Sequence, residues 1–228
     1  LIELLSWNVR KAVGLDWRRD PSRVVGVLRA QGPDVALLQE VDKRLGARPS
    51  ALPEELLRAA GYRPVDADPD TPSLGWHGNT ILLRPHLHLR EMHRLALPGL
   101  EPRGAVLARI EGAGGGLTVV CAHLGLRRRD RRAQMAALFE RLAGEQGPQV
   151  VGGDLNEWAL DPKLLAVPAG WHMSVPGPSY HAAFPRAPLD RFLHGPGVRL
   201  DRPRVVPPRQ ARRASDHLPV RATLRWAA

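Results

Sequence analysis

Along this sequence, residues able to do phosphoryl-transfer chemistry stand directly behind apolar runs. Ser6-Trp7-Asn8 closes the first run and Gln39-Glu40 the second. His123 follows a later run, and Gly153-Asp154-Leu155-Asn156 another. Asp190 lies within Leu189-Asp190-Arg191-Phe192, and Ser215-Asp216-His217 precedes the last run. Carboxylate and amide oxygens are hard donors that suit Mg²⁺, and histidine holds or releases a proton near neutrality. Together they are what a metal-assisted attack on phosphorus requires. Singly, each has a structural alternative. Asn8 reads also as a turn or cap residue, Glu40 and Asp42 as a solvated loop, Asp154-x-Asn156 as an Asx-turn and Asp216-His217 as a surface turn.

To act together, these residues need a rigid support. Segments 2–7, 35–39, 80–83, 105–110, 117–122, 150–152, 189–193 and 218–224 read as strands. Several are continuous apolar runs, such as Val35-Ala36-Leu37-Leu38, as in sheets covered on both faces. Helices are predicted at 21–30, 53–60 and 130–143. Asp20-Pro21 is a capping acceptor followed by a first-turn proline, and Met135, Leu138, Phe139 and Leu142 form one apolar face. Residues 112–116 read as a turn between two strands. No internal period or composition break divides the chain, so one domain over 1–228 is expected.

The net charge of +10 comes almost wholly from Arg, the three Lys being Lys11, Lys43 and Lys163. Arg127, Arg128, Arg129, Arg131 and Arg132 against Asp130 carry +4, and six Arg against Asp201 in 198–214 carry +5. Such clusters suit a polyanion, nucleic acid or an acidic lipid surface, or else form a solvated basic face. The single cysteine, Cys121, excludes an intramolecular disulfide and reads as a small core hydrophobe. No run approaches the length needed to span a bilayer. No basic-then-apolar segment opens the chain, so the cytoplasm is the expected compartment, although the first residue is Leu1 rather than Met. Of six tryptophans, Trp158 reads equally as cleft lining or packing, while Trp171 and Trp226 read as packing.

Taken in order, Ser-Trp-Asn (6–8), Leu-Leu-Gln-Glu (37–40), Ala-His-Leu (122–124), Gly-Gly-Asp-Leu-Asn (152–156), Leu-Asp-Arg-Phe-Leu (189–193) and Ser-Asp-His-Leu-Pro-Val (215–220) resemble the successive motifs of one family. It is the endonuclease/exonuclease/phosphatase superfamily, which includes deoxyribonuclease I, abasic-site endonucleases, neutral sphingomyelinases and inositol polyphosphate 5-phosphatases. The resemblance implies a deoxyribonuclease I-like α/β fold, a four-layer α/β/β/α sandwich of two mostly antiparallel sheets with the site at one edge. It also implies Mg²⁺ as cofactor, with Mn²⁺ able to substitute.

Carried over by position, the resemblance makes Glu40 the main metal carboxylate, with Asn8 its partner and Asp216 an outer or second-metal ligand. Asp154 resembles the residue that orients or deprotonates the attacking water, and Asn156 its positioning partner. His217 matches the histidine on the scissile phosphate, Asp190 the carboxylate that charges it, and His123 a further active-site histidine. Asn79 and Arg103 resemble phosphate-side residues. Arg10, two residues past Asn8, and Arg191, after Asp190, depart from the usual acidic and aromatic residues, as in small bacterial members. A monomeric metal-dependent nuclease is the first expectation, with Arg127, Arg128, Arg129, Arg212 and Arg213 tracking the polyanion. A phosphoesterase for phospholipid, sphingomyelin or phosphoinositide head groups is the second. A non-catalytic polyanion-binding module is the third, disfavoured because Glu40, Asp154 and Asp190 repel one another when gathered.

Overall fold

In the computed structural model, residues 1–43, 49–65, 72–112 and 114–227 are described, apart from the side chain of Gln210. The strands form two six-stranded sheets. The first is ordered β11 (Val198–Val205), β12 (Val220–Trp226), β1 (Ile2–Asn8), β2 (Val35–Gln39), β4 (Thr80–Leu83), β3 (Arg63–Pro64). The second is ordered β5 (His88–Leu97), β6 (Arg103–Gly112), β7 (Gly115–His123), β8 (Gln149–Asp154), β10 (Asp190–His194), β9 (His172–Ser174). Each has one parallel pair near its middle, β1 with β2 and β7 with β8, and is antiparallel elsewhere.

Both faces of the central strands are buried, which accounts for their unbroken apolar runs. Along β2, Val35 and Leu37 face the core between the sheets. Ala36 and Leu38 face the opposite side, under α1 (Pro21–Gln31) and α2 (Glu54–Ala59). On the far side of the second sheet, α3 (Arg128–Ala143) lays Met135, Leu138, Phe139 and Leu142 against Leu107, Val120 and Leu193. The result is the four-layer α/β/β/α order implied by the family resemblance. Each fully buried Leu or Val of these layers contributes roughly 1.5–3 kcal/mol of transfer free energy.

Local signals behave as their chemistry requires. The Asp20 carboxylate accepts from the Ser22 amide at the start of α1, and Gly32 ends that helix in the left-handed region. Cys121 is buried between the sheets, where desolvation pushes its thiol up to about 12. In the hairpin expected at 112–116, Gly112 lies opposite Gly115, and residue 113 is outside the described residues. Helix α3 starts two residues earlier than predicted. Strands β3, β5, β9 and β11 were not expected. The long ones, β5 and β11, are edge strands with charged residues on both faces, so they carry no apolar run and no alternation.

The topology sets the position of the site. A parallel pair brings both C-terminal strand ends to one edge, as in Asn8 opposite Gln39 and His123 opposite Asp154. The antiparallel neighbours begin at that edge. Asp190 opens β10 opposite Asp154, and the segment holding Asp216 and His217 leads into β12, which pairs Val220 with Ser6. Motifs scattered from residue 6 to residue 220 therefore converge.

Candidate active site

Local interactions fix each side chain at this edge. Gly153 lets β8 approach β7, since a Cβ there would lie 1.8 Å from the Ala122 carbonyl oxygen. Beyond β8, the Asn156 amide N–H donates to Asp154 Oδ1 at 3.1 Å, and Asn156 Nδ2 donates to the Leu124 carbonyl at 2.9 Å. The last motif is tied to the first strand. Trp7 Nε1 donates to the His217 carbonyl at 2.9 Å, and Ser215 Oγ donates to the Asn8 carbonyl at 2.7 Å.

A cavity of about 660 Å³ opens between the sheet edges, lined by Asn8, Lys11, Glu40, His123, Asp154, Asn156, Asp216 and His217 among others. Asn8 Nδ2 donates to Glu40 Oε1 at 3.2 Å and to Asp154 Oδ2 at 3.1 Å, so one amide joins the two sheets' carboxylates. His123 Nε2 lies 3.4 Å and His217 Nε2 3.6 Å from Asp154 Oδ2. On its other side, His217 Nδ1 lies 2.8 Å from Asp190 Oδ2, which also accepts from Ser179 Oγ at 2.5 Å. The Tyr180 ring packs 4.8 Å from the His217 ring.

The two histidines carry opposite charge states. Burial lowers His123 to about 3, and the nearby Asp154 does not offset it, so its imidazole is neutral. Burial acts on His217 too, but Asp190 and then Asp154 outweigh it and raise the group to about 9. His217 is therefore an imidazolium held between two carboxylates. Asp154, Asp190 and His217 also present possible ligand atoms within 4.8 Å of one another. His217 Nδ1 is committed to the Asp190 carboxylate, while Nε2 stands 3.6 Å from Asp154 Oδ2, beyond a direct hydrogen bond.

At the corner of Asn8, Glu40 and Asp154, the carboxylate oxygens of Glu40 and Asp154 suit a hard divalent cation, while Asn8 presents its Nδ2 to both and keeps its Oδ1 on the Arg10 amide. A cation already engages this corner, because the Lys11 ammonium contacts Glu40 Oε2. Asp216 Oδ2 lies 3.4 Å from Arg10 Nε, and the Arg10 guanidinium stacks on Trp17.

Other predicted residues are placed differently. Arg103 lines the cavity and pairs with Glu101 at 2.7 Å. Asn79 does not line it: its Nδ2 donates to the carbonyls of Trp76, His77 and Gly104, bracing a turn. Arg127, Arg128 and Arg129 are exposed at the start of α3 but do not line the cavity, whereas Leu126 does. Arg212 and Arg213 are likewise exposed and outside the lining.

The picture of the whole arginine run facing a polyanion needs correction at Arg131. It is buried, donating to Glu157 Oε2 at 2.8 Å and to the Leu126 carbonyl at 2.6 Å, because helical spacing turns this position toward the sheet. Arg191, the departure after Asp190, is also fully buried and donates to the carbonyls of Pro188 and Glu157. Lys11, Glu101, Ser179 and Tyr180 were missed. Lys11, three residues past Asn8, and Glu101, two before Arg103, stand near residues the sequence singles out, whereas Ser179 and Tyr180 do not.

The family model described as Endonuclease/Exonuclease/phosphatase family matches residues 5–217. The Escherichia coli (strain K12) protein YbhP, described as uncharacterized, is 33% identical over 161 residues, covering 66% of this chain and 63% of its own length. The match thus spans somewhat under two thirds of that curated relative. Among solved structures, the endonuclease/exonuclease/phosphatase from Beutenbergia cavernae DSM 12333 aligns at a TM-score of 0.77 and 22% identity, over 100% of this chain and 72% of that one. D. rerio TDP2 complexed with single strand DNA product aligns at 0.74 and 18%, over 98% of each. At these identities the structural likeness shows the fold.

Proposed function

Because this chain belongs to the endonuclease/exonuclease/phosphatase family, we propose that it is a divalent-metal-dependent phosphodiesterase acting on nucleic acid. The observation that carries the reading is the pairing, in one cavity, of an imidazolium at His217 with the carboxylate oxygens of Glu40 and Asp154, which the Asn8 amide bridges.

Glu40, with Asn8 and Asp216, would hold a Mg²⁺ or Mn²⁺ ion, which supplies Lewis-acid polarisation of a phosphoryl oxygen. The remaining chemistry falls to the chain itself. Asp154 orients and deprotonates the attacking water, its carboxylate kept in place by the Asn156 amide and by Asn8. His217, charged by Asp190, neutralises the negative charge that builds on the phosphoryl oxygens. Neutral His123 and the Arg103 guanidinium contact the phosphate from the second sheet's side of the cavity.

Nucleic acid is favoured over small phosphomonoesters by what surrounds the phosphate position. Trp158 lines the cavity with 64% of its surface exposed, a free indole face suited to stacking on a base. Exposed Arg127 and Arg129 stand next to the lining residue Leu126, placed for a chain longer than one nucleotide, while Arg128 between them is paired with Glu157. The D. rerio TDP2 relative by fold was solved with a single strand DNA product, which supports the same choice. Exposed Leu126, which lines the same cavity as Trp158, favours a second reading, a phosphodiester with an apolar tail such as a phospholipid or sphingomyelin.

A panel of plasmid, single-stranded DNA, bis-p-nitrophenyl phosphate, sphingomyelin and phosphoinositide separates these readings. Turnover of DNA that stops in excess EDTA and returns with Mg²⁺ or Mn²⁺ is expected. Full turnover in EDTA overturns the metal mechanism, and hydrolysis of sphingomyelin alone overturns the choice of substrate.

A further inference from the structure

The turn after β1 has unusual backbone geometry. Arg10, Lys11 and Ala12 all adopt positive φ, at 46°, 57° and 58°, a run that L-residues seldom sustain. Several hydrogen bonds enforce it. Asn8 Oδ1 accepts from the Arg10 amide at 3.0 Å, the Lys11 amide donates to the Glu40 carbonyl at 2.8 Å, and Arg19 Nε donates to the Lys11 carbonyl at 3.1 Å. Glu40 itself has a φ of 55°. Three left-handed residues in a row persist only where the surroundings require them. Here the turn delivers two cations to two carboxylates, the Lys11 ammonium to Glu40 and the Arg10 guanidinium to Asp216. Those are the two acidic residues that the proposed function assigns to the metal ion.

An ammonium in contact with Glu40 Oε2 competes with a divalent ion for that carboxylate, because it neutralises the charge the ion needs and the two cations repel at such range. We propose that Lys11 is a built-in competitor of the metal ion. Its ammonium neutralises Glu40 in the metal-free protein, the ion enters only by displacing it, and the displaced ammonium turns into the cavity toward the bound phosphate. The lysine is long and unbranched, and about a sixth of its side chain is exposed, so it can swing from Glu40 into the cavity that it already lines. This inference rests on the proposed metal site and adds a cost to loading it. The enzyme would be tuned to bind its ion weakly alone and better in the presence of a phosphate that attracts Lys11 away, which is positive coupling between ion and substrate.

The test is Mn²⁺ binding to the full chain, read by electron paramagnetic resonance of free Mn²⁺ and by calorimetry, without turnover. Lys11→Met keeps the aliphatic stem and removes the charge, and Lys11→Arg keeps the charge. Lys11→Met is expected to bind Mn²⁺ at least about ten-fold more tightly than wild type, as the loss of a competing unit charge at contact distance implies. Lys11→Arg should stay near wild type, and Glu40→Gln should abolish the site in either background. In wild type, a non-hydrolysable phosphodiester analogue should tighten Mn²⁺ binding, and Lys11→Met should lose most of that coupling. Equal or weaker Mn²⁺ affinity in a folded Lys11→Met, judged by circular dichroism, overturns the competition while leaving the metal site standing. If neither wild type nor Lys11→Met binds Mn²⁺ in a Glu40-dependent way, the metal site falls and the competition falls with it.

Discussion

Asp190→Asn isolates the charge on His217, because it swaps the buried carboxylate for an amide of the same shape. In the native protein Asp190 Oδ2 lies 2.8 Å from His217 Nδ1, and it is the largest of the influences that raise the imidazole against its burial. The rise from 6.5 to about 9 corresponds to roughly 3 kcal/mol favouring the proton. Without Asp190, burial is opposed mainly by Asp154, and the group should titrate at or below about 6.5. At about pH 8 the imidazolium fraction then falls from roughly 90% to roughly 3%, a thirty-fold loss from protonation alone. Loss of orientation adds to it, for a total on the order of 10² in kcat/KM.

Two measurements check this. NMR of the His217 ring should show titration near 9 in wild type and at least about two units lower in the variant. The pH profile of bis-p-nitrophenyl phosphate hydrolysis should lose its alkaline limb at a correspondingly lower pH. Stability moves with the same proton. Since the folded value lies above the unfolded one, the stabilisation is complete below about pH 6.5 and is lost as the pH climbs to about 9. The gap between wild type and Asp190→Asn in urea unfolding should therefore narrow by about 3 kcal/mol across that window. A His217 that titrates near 6.5 in wild type, or one unmoved by Asp190→Asn, refutes this charge assignment.

Glu157 tests a structural role beside the catalytic one. Its fully buried carboxylate accepts from Arg131, Arg128 and the Ala159 amide; burial works against ionisation, but the backbone bond and the two arginines hold it at about 2. Glu157→Gln should destabilise the fold by roughly 3–5 kcal/mol, because Arg131 is left buried without its counter-charge; thermal denaturation reads this, and a shift within error contradicts it. For the basic rim, Arg127→Gln with Arg129→Gln should weaken DNA binding and flatten the plot of log K against log salt by about 0.9 for each phosphate no longer neutralised. Hydrolysis of a small chromogenic diester should be little affected, since neither arginine lines the cavity. Unchanged DNA affinity with weakened binding to anionic vesicles would favour the lipid substrate instead.

Much of the architecture is legible in local sequence because its determinants are local. Val35-Ala36-Leu37-Leu38 is apolar throughout, and only a strand covered on both faces buries all four. Asp20-Pro21 starts α1 by filling its unpaired amides, whatever lies around it. The polar residues behind the strands, Asn8, Glu40, His123 and Asp154, are readable as a site because a strand end is where a rigid sheet meets solvent. Polar edge strands are not readable in this way. In β5 and β11 charge stands on both faces, and only pairing with β6 and β12 makes them strands.

Tertiary structure alone decides which charge meets which. Ser179 reaches Asp190 and Tyr180 packs on His217 from a loop with no periodicity to mark it. Arg128 and Arg131 look alike in the basic run. The turn of α3 leaves the first exposed and buries the second on Glu157. Lys11 meets Glu40 across 29 residues because β1 and β2 are parallel neighbours and the left-handed turn after Asn8 points back over their ends. Residue types and their order announce the chemistry, since donor hardness and proton affinity belong to the side chain. The protonation of His217, the neutrality of His123 and the cation on Glu40 depend on distances of a few ångströms between residues remote in sequence. Electrostatic energy changes steeply over that range, so only the folded chain sets them.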